Sequence, residues 1–399
     1  MTAEPRVAEI IHRVTDAIPV VTPPATEIQD RAAIRTTARP PAQGGRRATW
    51  RPAVLAGAAV LATVVGAGVV LHGSGGPRQV AGPSPSASAP TAPGPARLPH
   101  RMAPSGVATD LLSDAPPGRV IALFRDRGDR DYVALAPNGR SYRRVDVGPA
   151  GAAAALAPDG LSIALGDPQH VTDEVTVVDV RTGRARGFAL DPPVAARPLA
   201  WSADGRRVAF ATQERPGRFG AGPAAIDVLD VESGAFRRVA PPVAGTVGLI
   251  RAAFGPAGAT LTVAAGGPDG CVVTVVDPPN SHALEPGIAG CVEVAAVAVD
   301  RDTGVTALVE RRPDGDRLTF RAGPAAPDQL PDDRAVPAGT TIVGWPGDAG
   351  PWVAGSTGGL REVPLPHGEL RQVAWFVGNV TEYQLATDLL PGLEVVDGD

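Results

Sequence analysis

Two stretches of the chain, LAPDGLSIAL at residues 156–165 and WSADGRRVAF at residues 201–210, share one pattern. Each has an apolar segment, a tight turn that contains Asp-Gly, and a second apolar segment. Because Asp-Gly between two apolar runs is a strong hairpin signal, both stretches predict a pair of antiparallel strands. Helical periodicity is essentially absent from about residue 106 onward, so the pattern indicates an all-β fold.

The first hairpin recurs in weaker copies further along the chain. These copies are FGPAGATLTV (254–263), VDRDTGVTAL (299–308) and GWPGDAGPWVAG (344–355). A second hairpin follows the first at TVVDVRTGRARGF (176–188) and DVLDVESGAFRRV (227–239). The first hairpins recur every 43 to 53 residues. Four strands per unit of this length predict a β-propeller with one unit per blade.

The Asp and Gly residues of these hairpins predict a structural role in the turns. A Ca²⁺ site needs six to eight oxygen ligands at one point, whereas these carboxylates are scattered along the chain. Asp supports a turn through hydrogen bonds to its own backbone. We therefore predict turn-structural roles, and no metal site, for Asp159, Gly160, Asp179, Asp204, Gly205 and Asp230.

The number of blades follows from the length of the repeating region. Residues 106–399 accommodate six blades of about 49 residues or seven of about 42, and six is preferred. Residues 119–145 contain one strand and a hairpin around Asn138-Gly139, which predicts an incomplete first blade. We expect residues 373–385 to supply its missing strand from the other terminus, because closing the ring removes exposed sheet edges.

The core x-[SA]-[PA]-D-G-x-x-[IV]-A-[FL] of residues 156–165 and 201–210 resembles the WD-type and TolB-like propeller repeat. As architecture, the resemblance covers about residues 106–399 and implies a propeller fold. The chain lacks the Gly-His and Trp-Asp dipeptides of the eukaryotic WD repeat. Because many functions share this fold, the resemblance by itself implies no activity.

Residues 52–71 (PAVLAGAAVLATVVGAGVVL) form an uncharged apolar run, and they predict a transmembrane helix at 52–72. Six arginines precede the run between residues 31 and 51, whereas only Arg78 lies in the 25 residues after it. This asymmetry predicts a cytoplasmic N-terminus and an extracytoplasmic C-terminal domain in the cell membrane. A cleaved signal peptide and a buried soluble helix are the alternatives. The long N-terminal extension argues against the first, and the length of the run against the second.

The apolar run divides the chain into four predicted segments. They are a cytoplasmic tail (1–51), the transmembrane helix (52–72), a disordered Pro/Ala/Ser/Gly-rich linker (73–105) and the propeller (106–399). The basic residues are all Arg, a bias that resembles the proteins of GC-rich genomes such as actinobacterial ones. The net charge of −5 gives no general reason to expect nucleic-acid binding.

The tail contains a predicted amphipathic helix at residues 4–18. Its apolar face, which we predict to bind a cytoplasmic protein partner, consists of Val7, Ile10, Ile11, Val14 and Ile18. A helix formed only marginally in water is the alternative. The layout resembles membrane-bound regulators of extracytoplasmic-function sigma factors, which implies such a partner. However, His12 lacks the two cysteines of the zinc motif that many of those regulators carry.

Two further residue types bear on the extracytoplasmic body. Cys271 and Cys291 are disulfide candidates in an oxidising compartment, with two buried free thiols as the alternative. Trp201 occupies the core position of its repeat and predicts packing. Trp352 lies beside Pro351 in a Gly-rich stretch, where it either faces a ligand such as a glycan or packs in the core.

These features together predict a non-enzymatic protein with no cofactor. The sequence contains no nucleophile elbow, zinc signature or phosphate loop. We expect a membrane-anchored extracytoplasmic propeller that acts as a binding or scaffold module for a protein or glycan ligand. One alternative is a transmembrane regulator that couples the propeller to a cytoplasmic partner. Another is an envelope-acting hydrolase, which would need a polar cluster in the central channel.

Overall fold

The computed structural model describes the C-terminal part of the chain in segments. They are residues 95–103, 110–126, 131–149, 151–214, 224–239, 250–267, 270–277, 280–322, 330–346, 350–365, 369–377, 380–391 and 393–396. In these residues strands dominate, with short 3₁₀ helices at Pro256–Gly258 and Thr387–Leu389. The all-β prediction is therefore confirmed. No described helix is long and apolar enough to cross a membrane. The predicted tail (1–51) and transmembrane helix (52–72) lie outside the described residues.

Two antiparallel sheets come first along the chain. The first contains β3 (Ala122–Asp126), β4 (Tyr132–Leu135) and β5 (Tyr142–Val145), and it is completed by β25 (Val380–Leu385) next to β3. The second has seven strands, β6 (Ala153–Leu156), β7 (Ser162–Gly166), β8 (Thr172–Asp179), β9 (Arg184–Trp201), β10 (Arg207–Gln213), β11 (Ala225–Asp230) and β12 (Phe236–Val239). Strand β9 pairs with β8 mainly through its first half and with β10 through its second half, residues 195–201.

Three more antiparallel sheets follow. One contains β13 (Arg251–Phe254), β14 (Leu261–Gly267), β15 (Gly270–Asp277) and β16 (Asn280–Ile288). The next contains β17 (Glu293–Val299), β18 (Thr306–Arg312), β19 (Gly315–Arg321) and β20 (Arg334–Ala335). The last contains β21 (Thr341–Gly344), β22 (Trp352–Ala354), β23 (Gly359–Glu362) and β24 (Arg371–Phe376), with β2 (Arg101–Met102) added in parallel to β24. A separate parallel pair joins β1 (Arg97–Pro99) to β26 (Glu394–Val396).

The sheets are arranged as a propeller. Strands β6, β9, β13, β17 and β21 each contact the next in this order, and β25 contacts both β21 and β6. This ring of strands surrounds a central cavity. Within the described residues, hydrophobic clusters fill the spaces between consecutive groups of strands. Burial of these side chains, at roughly 25 cal/mol per Å² of apolar surface, is the main stabilising contribution to such a fold.

The predicted first hairpins are confirmed at all five repeats. They join β6 to β7, β9 to β10, β13 to β14, β17 to β18 and β21 to β22. The predicted closing strand is also confirmed, because β25 pairs antiparallel with β3. Each first hairpin therefore connects a strand of the central ring to the next strand outward.

The C-terminal limit of the predicted linker, 73–105, was placed too late. Within it, β1 and β2 pair with strands near the C-terminus of the chain. The side chains of Leu98 and Met102 are fully buried, and the backbone N–H of His100 donates to the carbonyl of Val396 at 2.7 Å. Leu98 and Met102 are two isolated apolar residues among prolines, and this pattern is too short to predict a strand. Residues 73–94 lie outside the described residues.

Candidate binding channel

A cavity of about 680 Å³ lies on the axis of the ring of strands. Its walls come from β6, the second half of β9, β13, β17, β21 and β25. Small side chains predominate on these strands, as in Ala153–Ala155 and Ala295–Ala296, because the strands converge toward the axis. The space left by the small side chains is therefore available to the longer polar ones that also line the cavity.

Three arginines on strands and a glutamate carry most of the charge of this cavity, which a fourth arginine, Arg301 in the turn after β17, also lines. Arg197 lies on β9, Arg251 on β13, Arg311 on β18 and Glu382 on β25, and all four line the same space. Arg251 donates through Nε to the backbone carbonyl of Ala295 on the neighbouring strand at 2.7 Å. The positive side chains thus come from three different strands and meet at the channel.

The carboxylate of Glu382 is held by two partners from the adjacent strands. Its Oε1 accepts from Arg125, and its Oε2 accepts from the Tyr132 hydroxyl. Arg125 also donates to the carbonyl of Ala152 at 3.1 Å, and the Tyr132 hydroxyl accepts from the N–H of Ala154 at 3.1 Å. Burial raises the pKa of the Tyr132 hydroxyl and the charge of Glu382 raises it further, so the hydroxyl remains a donor. This network joins β25, β3 and β4 to β6.

Gln384 is another polar side chain of β25 in the channel wall. Its Oε1 accepts from the N–H of Leu156 at 2.5 Å, and its Nε2 donates to the carbonyl of Ala154 at 2.6 Å. Both ends of the amide therefore bind the backbone of β6. The arrangement fixes the closing strand against the next strand of the ring, and it leaves the amide of Gln384 occupied.

Aromatic and charged groups also line the cavity beyond this cluster. Trp201, at the end of β9, is buried and donates through Nε1 to the carbonyl of Ala155 at 2.8 Å. Its predicted packing role is confirmed. Arg301 binds the carboxylate of Asp388 and donates to the Thr387 hydroxyl at 2.7 Å. These contacts connect the turn after β17 to the 3₁₀ helix after β25.

The residues predicted for the turns lie in the hairpins and make local hydrogen bonds. The carboxylate of Asp159 accepts from the N–H of Leu161 at 2.9 Å, and Asp204 accepts from Arg206 at 3.1 Å. In the second hairpins, Asp179 accepts from Arg181 and Asp230 from Ser233, both at 2.8 Å. The Ser233 backbone and hydroxyl donors lower the pKa of Asp230. Gly160 and Gly205 have φ of +70° and +67°, a conformation that favours glycine.

The other residues singled out from the sequence have distinct placements. Cys271 and Cys291 are joined as a disulfide with a Cα–Cα distance of 5.4 Å. Trp352 is buried among apolar neighbours, so of the two alternatives that the sequence leaves open, packing in the core is the one observed. The predicted partner face of the tail helix, Val7, Ile10, Ile11, Val14 and Ile18, lies outside the described residues. Among the described residues, no group of three or more His, Cys, Asp or Glu side chains is placed to hold a metal ion.

Sequence reasoning missed the charged residues of the channel. The signal available was a charged residue inside an otherwise apolar inner strand. Arg197 and Arg251 precede the turn glycines Gly205 and Gly258 at similar distances, and Glu382 lies within the closing segment. The enzyme alternative required a polar cluster in the channel, and a polar cluster is present there. The presence of a polar cluster therefore does not exclude the hydrolase alternative. The hydrogen bonds and charges of the cluster must decide between catalysis and binding.

No protein-family model matches the sequence, and no curated protein matches it. Among solved structures, TolB from Acinetobacter baumannii is 16% identical, with a TM-score of 0.45. This match covers 67% of the present chain and 66% of TolB, slightly less than two thirds of that protein. Hydrazine synthase from Kuenenia stuttgartiensis is 15% identical, with a TM-score of 0.46, over 68% of the present chain and 77% of its own. The propeller arrangement rests on the strand pairing and the ring of inner strands described above.

Proposed function

We propose that this protein is a non-enzymatic, membrane-anchored propeller that binds a ligand in its central channel outside the cytoplasm. The observation that carries the proposal is the cavity of about 680 Å³ lined by polar and charged side chains from several sheets. A cavity of this size with a few convergent polar groups is the usual form of a ligand site. The ligand is a protein segment or a glycan, and the propeller is the scaffold that presents the site.

We further propose that the propeller has six blades. The ring contains six strands, and each is the inner strand of four antiparallel strands if β9 is divided between β8 and β10. The seven-stranded sheet is then two blades joined by one long strand. The hydrophobic clusters support this division, because one cluster lies between β6–β8 and the strands from the second half of β9 onward.

The state of the polar groups favours binding over catalysis. Both oxygens of Glu382 accept hydrogen bonds from Arg125 and Tyr132, and both ends of Gln384 bind the backbone. Arg125 and Tyr132 fix the orientation of the Glu382 carboxylate within the closing strands, whereas a general base must direct an oxygen at the proton that it abstracts from the substrate. Arginine remains protonated near neutral pH and serves to bind and orient rather than to transfer protons. The residues lining the channel are therefore better suited to recognition than to hydrolysis of an envelope carbohydrate.

The membrane attachment rests on the sequence. Residues 52–72 have the length and composition of a single span, and the preceding arginines favour an N-terminus in the cytoplasm. The disulfide between Cys271 and Cys291 is consistent with an oxidising compartment for the propeller. A chain with different epitope tags at its two ends tests the topology. Protease added to spheroplasts should cut within residues 73–94 and release the C-terminal tag while the N-terminal tag remains protected.

Deletion of residues 52–72 is the matched control for this assay, and it should leave the protein in the soluble fraction. Equal protection of both tags, or recovery of the intact chain in the soluble fraction, would overturn the membrane topology.

Ligand binding is tested separately by a photoactivatable residue at Ala253, which lines the channel. Cross-linking in intact cells should give an adduct from Ala253 but none from the exposed Arg237 on β12. Absence of an adduct from both positions would count against the channel as the site.

A transmembrane regulator is the second candidate, favoured by the apolar face of the predicted tail helix. In this version the propeller senses a ligand and the tail binds a cytoplasmic protein such as a sigma factor. An Ile11→Asp change would place a charge on the apolar face and should abolish capture of that partner by the full chain. Arg13→Asp alters the polar face and is the matched control. If neither the wild-type chain nor the control captures a cytoplasmic protein, the regulator candidate fails.

A further inference from the structure

One tryptophan of the described chain is exposed on the outside of the propeller. Three of the four described tryptophans are buried, whereas Trp375 on β24 is 38% exposed. Among the described residues, Trp375 belongs to none of the hydrophobic clusters that fill the spaces between the sheets. Strand β24 lies toward the outer side of its sheet, with β2 beyond it. The indole is therefore a large apolar group that the packing of the core does not use.

The strand pairing places Trp375 on the open face of this sheet. It lies directly opposite Gly359 on β23 and Arg101 on β2, so these three positions share one face. A methyl group built on Gly359 would lie 3.5 Å from Cζ3 of the indole, so the ring extends over the glycine. The next side chains along β24, Ala374 and Phe376, point to the opposite face and are buried in a hydrophobic cluster. The exposed part of the indole thus faces away from that cluster.

Guanidinium groups lie on the strands on both sides of Trp375. Arg101 on β2 is exposed. Arg361 on β23 lies two residues after Gly359, on the same face, and its Nε donates to Oε1 of Gln372 at 3.2 Å. The amide of Gln372 is itself fixed, because its Nε2 donates to the carbonyl of Leu360 at 3.0 Å. An apolar ring surface is therefore bordered by hydrogen-bond donors, and one of them is held in place by its neighbour.

We propose that this surface, called the outer-sheet site here, binds a sugar ring of a polysaccharide. The site consists of Arg101, Gly359, Arg361 and Trp375. A pyranose ring has a face of C–H groups and a rim of hydroxyls, which match an exposed indole bordered by guanidinium donors. A stable protein interface buries about 800 Å² on each partner around a cluster of apolar side chains. On β24 and the residue after it, the exposed large apolar side chains are Trp375 and Val377, too few for such an interface. The outer-sheet site is separate from the central channel, so this proposal goes beyond the proposed function.

A purely structural role for Trp375 leads to a different expectation. A tryptophan that only covers Gly359 would affect the melting temperature when it is replaced, and it would leave the affinity for a sugar unchanged. Arg101 is exposed, so its replacement should change the melting temperature little in either case. The affinity for a sugar therefore separates the two roles.

The experiment uses the full chain purified in detergent, with chitohexaose as a neutral probe and hexagalacturonate as an acidic one. Binding is measured by isothermal titration calorimetry, and the melting temperature of each variant is recorded alongside. The wild type should bind at least one probe. Trp375→Ala should weaken that binding at least about tenfold, and Arg101→Gln about fivefold, the effects of losing an aromatic contact and a hydrogen bond. Arg237→Gln removes the same charge from the exposed β12 of another sheet and should bind as the wild type does.

Each outcome supports or overturns the proposal. Binding of hexagalacturonate alone, weakened in the variants, supports an acidic sugar, whereas binding of chitohexaose or of both probes supports recognition of the ring and its hydroxyls. The proposal is overturned if neither probe binds the wild type, or if Trp375→Ala and Arg101→Gln bind as the wild type does. If Trp375→Ala does not fold, Trp375→Phe and Arg101→Gln give the same comparison. Cross-linking at Ala253 without any effect of these variants would leave the proposed channel site in place and reject only the outer-sheet site.

Discussion

The sheet formed by β25, β3, β4 and β5 and the sheet formed by β13 to β16 are built from the chain in opposite ways. In the β13–β16 sheet every strand follows the previous one, and Cys271 and Cys291 are 20 residues apart. In the other sheet, called the closing sheet here, Arg125 and Glu382 are 257 residues apart. Bringing distant segments together costs more chain entropy than closing a short loop. The closing sheet therefore needs stronger non-covalent interactions between its strands to reach the same stability.

The interactions that stabilise the two sheets differ accordingly. The disulfide lies in a small apolar cluster with Val273, Val294 and Leu308. The closing sheet has a backbone ladder from Val380 to Leu385 and, in addition, the bonds of Glu382 to Arg125 and Tyr132. The comparison teaches that the ring is closed by the same side chains that line the channel. Stability and the candidate site are therefore coupled at the closing sheet through polar side chains, whereas the disulfide cluster meets the channel wall through the apolar Val297.

The largest effect is expected from removing the closing strand. A chain that ends at residue 377 lacks β25 and β26, and it loses the buried side chains of Val380, Leu385 and Leu390. The edge of β3 and the apolar cluster around Phe124 would be exposed to solvent. We expect loss of cooperative thermal unfolding, measured by circular dichroism. Removal of residues 397–399 alone is the control and should leave the transition unchanged. A cooperative transition near the wild-type temperature in the shorter chain would contradict closure by β25.

The next effect is expected from the disulfide. Replacing Cys271 and Cys291 by serine should lower the free energy of unfolding by about 3 kcal/mol, because the cross-link restricts the unfolded chain over a loop of this length. Denaturant unfolding of the oxidised wild type and the double variant gives the difference. Reductant should destabilise the wild type and have no effect on the double variant.

A somewhat smaller effect is expected at Glu382. Glu382→Ala leaves the partly buried Arg125 and the buried Tyr132 hydroxyl without their partner, which should cost about 2 kcal/mol. The matched control is Glu394→Ala, which breaks the pair with Arg97 between β1 and β26. Both members of that pair are more than half exposed, so we expect a loss below about 1 kcal/mol. Equal losses in denaturant unfolding would show that the Glu382 network does not fasten the ring.

Much of the fold could be predicted from local sequence. The Asp-Gly hairpins around Gly160 and Gly205 identify two inner strands, because turn chemistry and alternation are local properties. The missing strand of the first sheet was also predictable, since an incomplete unit requires a partner. Strands β1 and β2 could not be predicted in the same way. Their pairing with β26 and β24 depends on contacts with the far end of the chain, and their own pattern contains only Leu98 and Met102 as buried apolar residues.

The channel was less predictable than the fold. Its charged side chains come from different repeats, and no spacing between Arg197, Arg251 and Arg311 indicates that they share a cavity. Only the ring of strands brings them together. Trp352 shows the same limit, since its sequence surroundings leave a ligand contact and core packing open, and only the packing of the sheets decides between them. Residues that act through tertiary proximity carry little signal in a single sequence.

The smallest effect that we expect tests whether equivalent repeats remain equivalent at the closing sheet. Gly160 and Gly205 occupy matching turns with nearly the same φ, so Ala at either should cost about 1 kcal/mol for the left-handed conformation. A methyl group at Gly160 would lie 2.1 Å from the carbonyl oxygen of Val120, which precedes β3, whereas at Gly205 the nearest atom is 3.4 Å away. Gly160→Ala should therefore lower the free energy of unfolding by at least about 1 kcal/mol more than Gly205→Ala. Gly118→Ala, where no atom lies within 4 Å of the added methyl, gives the conformational cost alone. If all three variants lose the same stability in denaturant unfolding, the backbone at Val120 moves aside at no cost in free energy. The closing sheet would then be no more rigid than the other sheets.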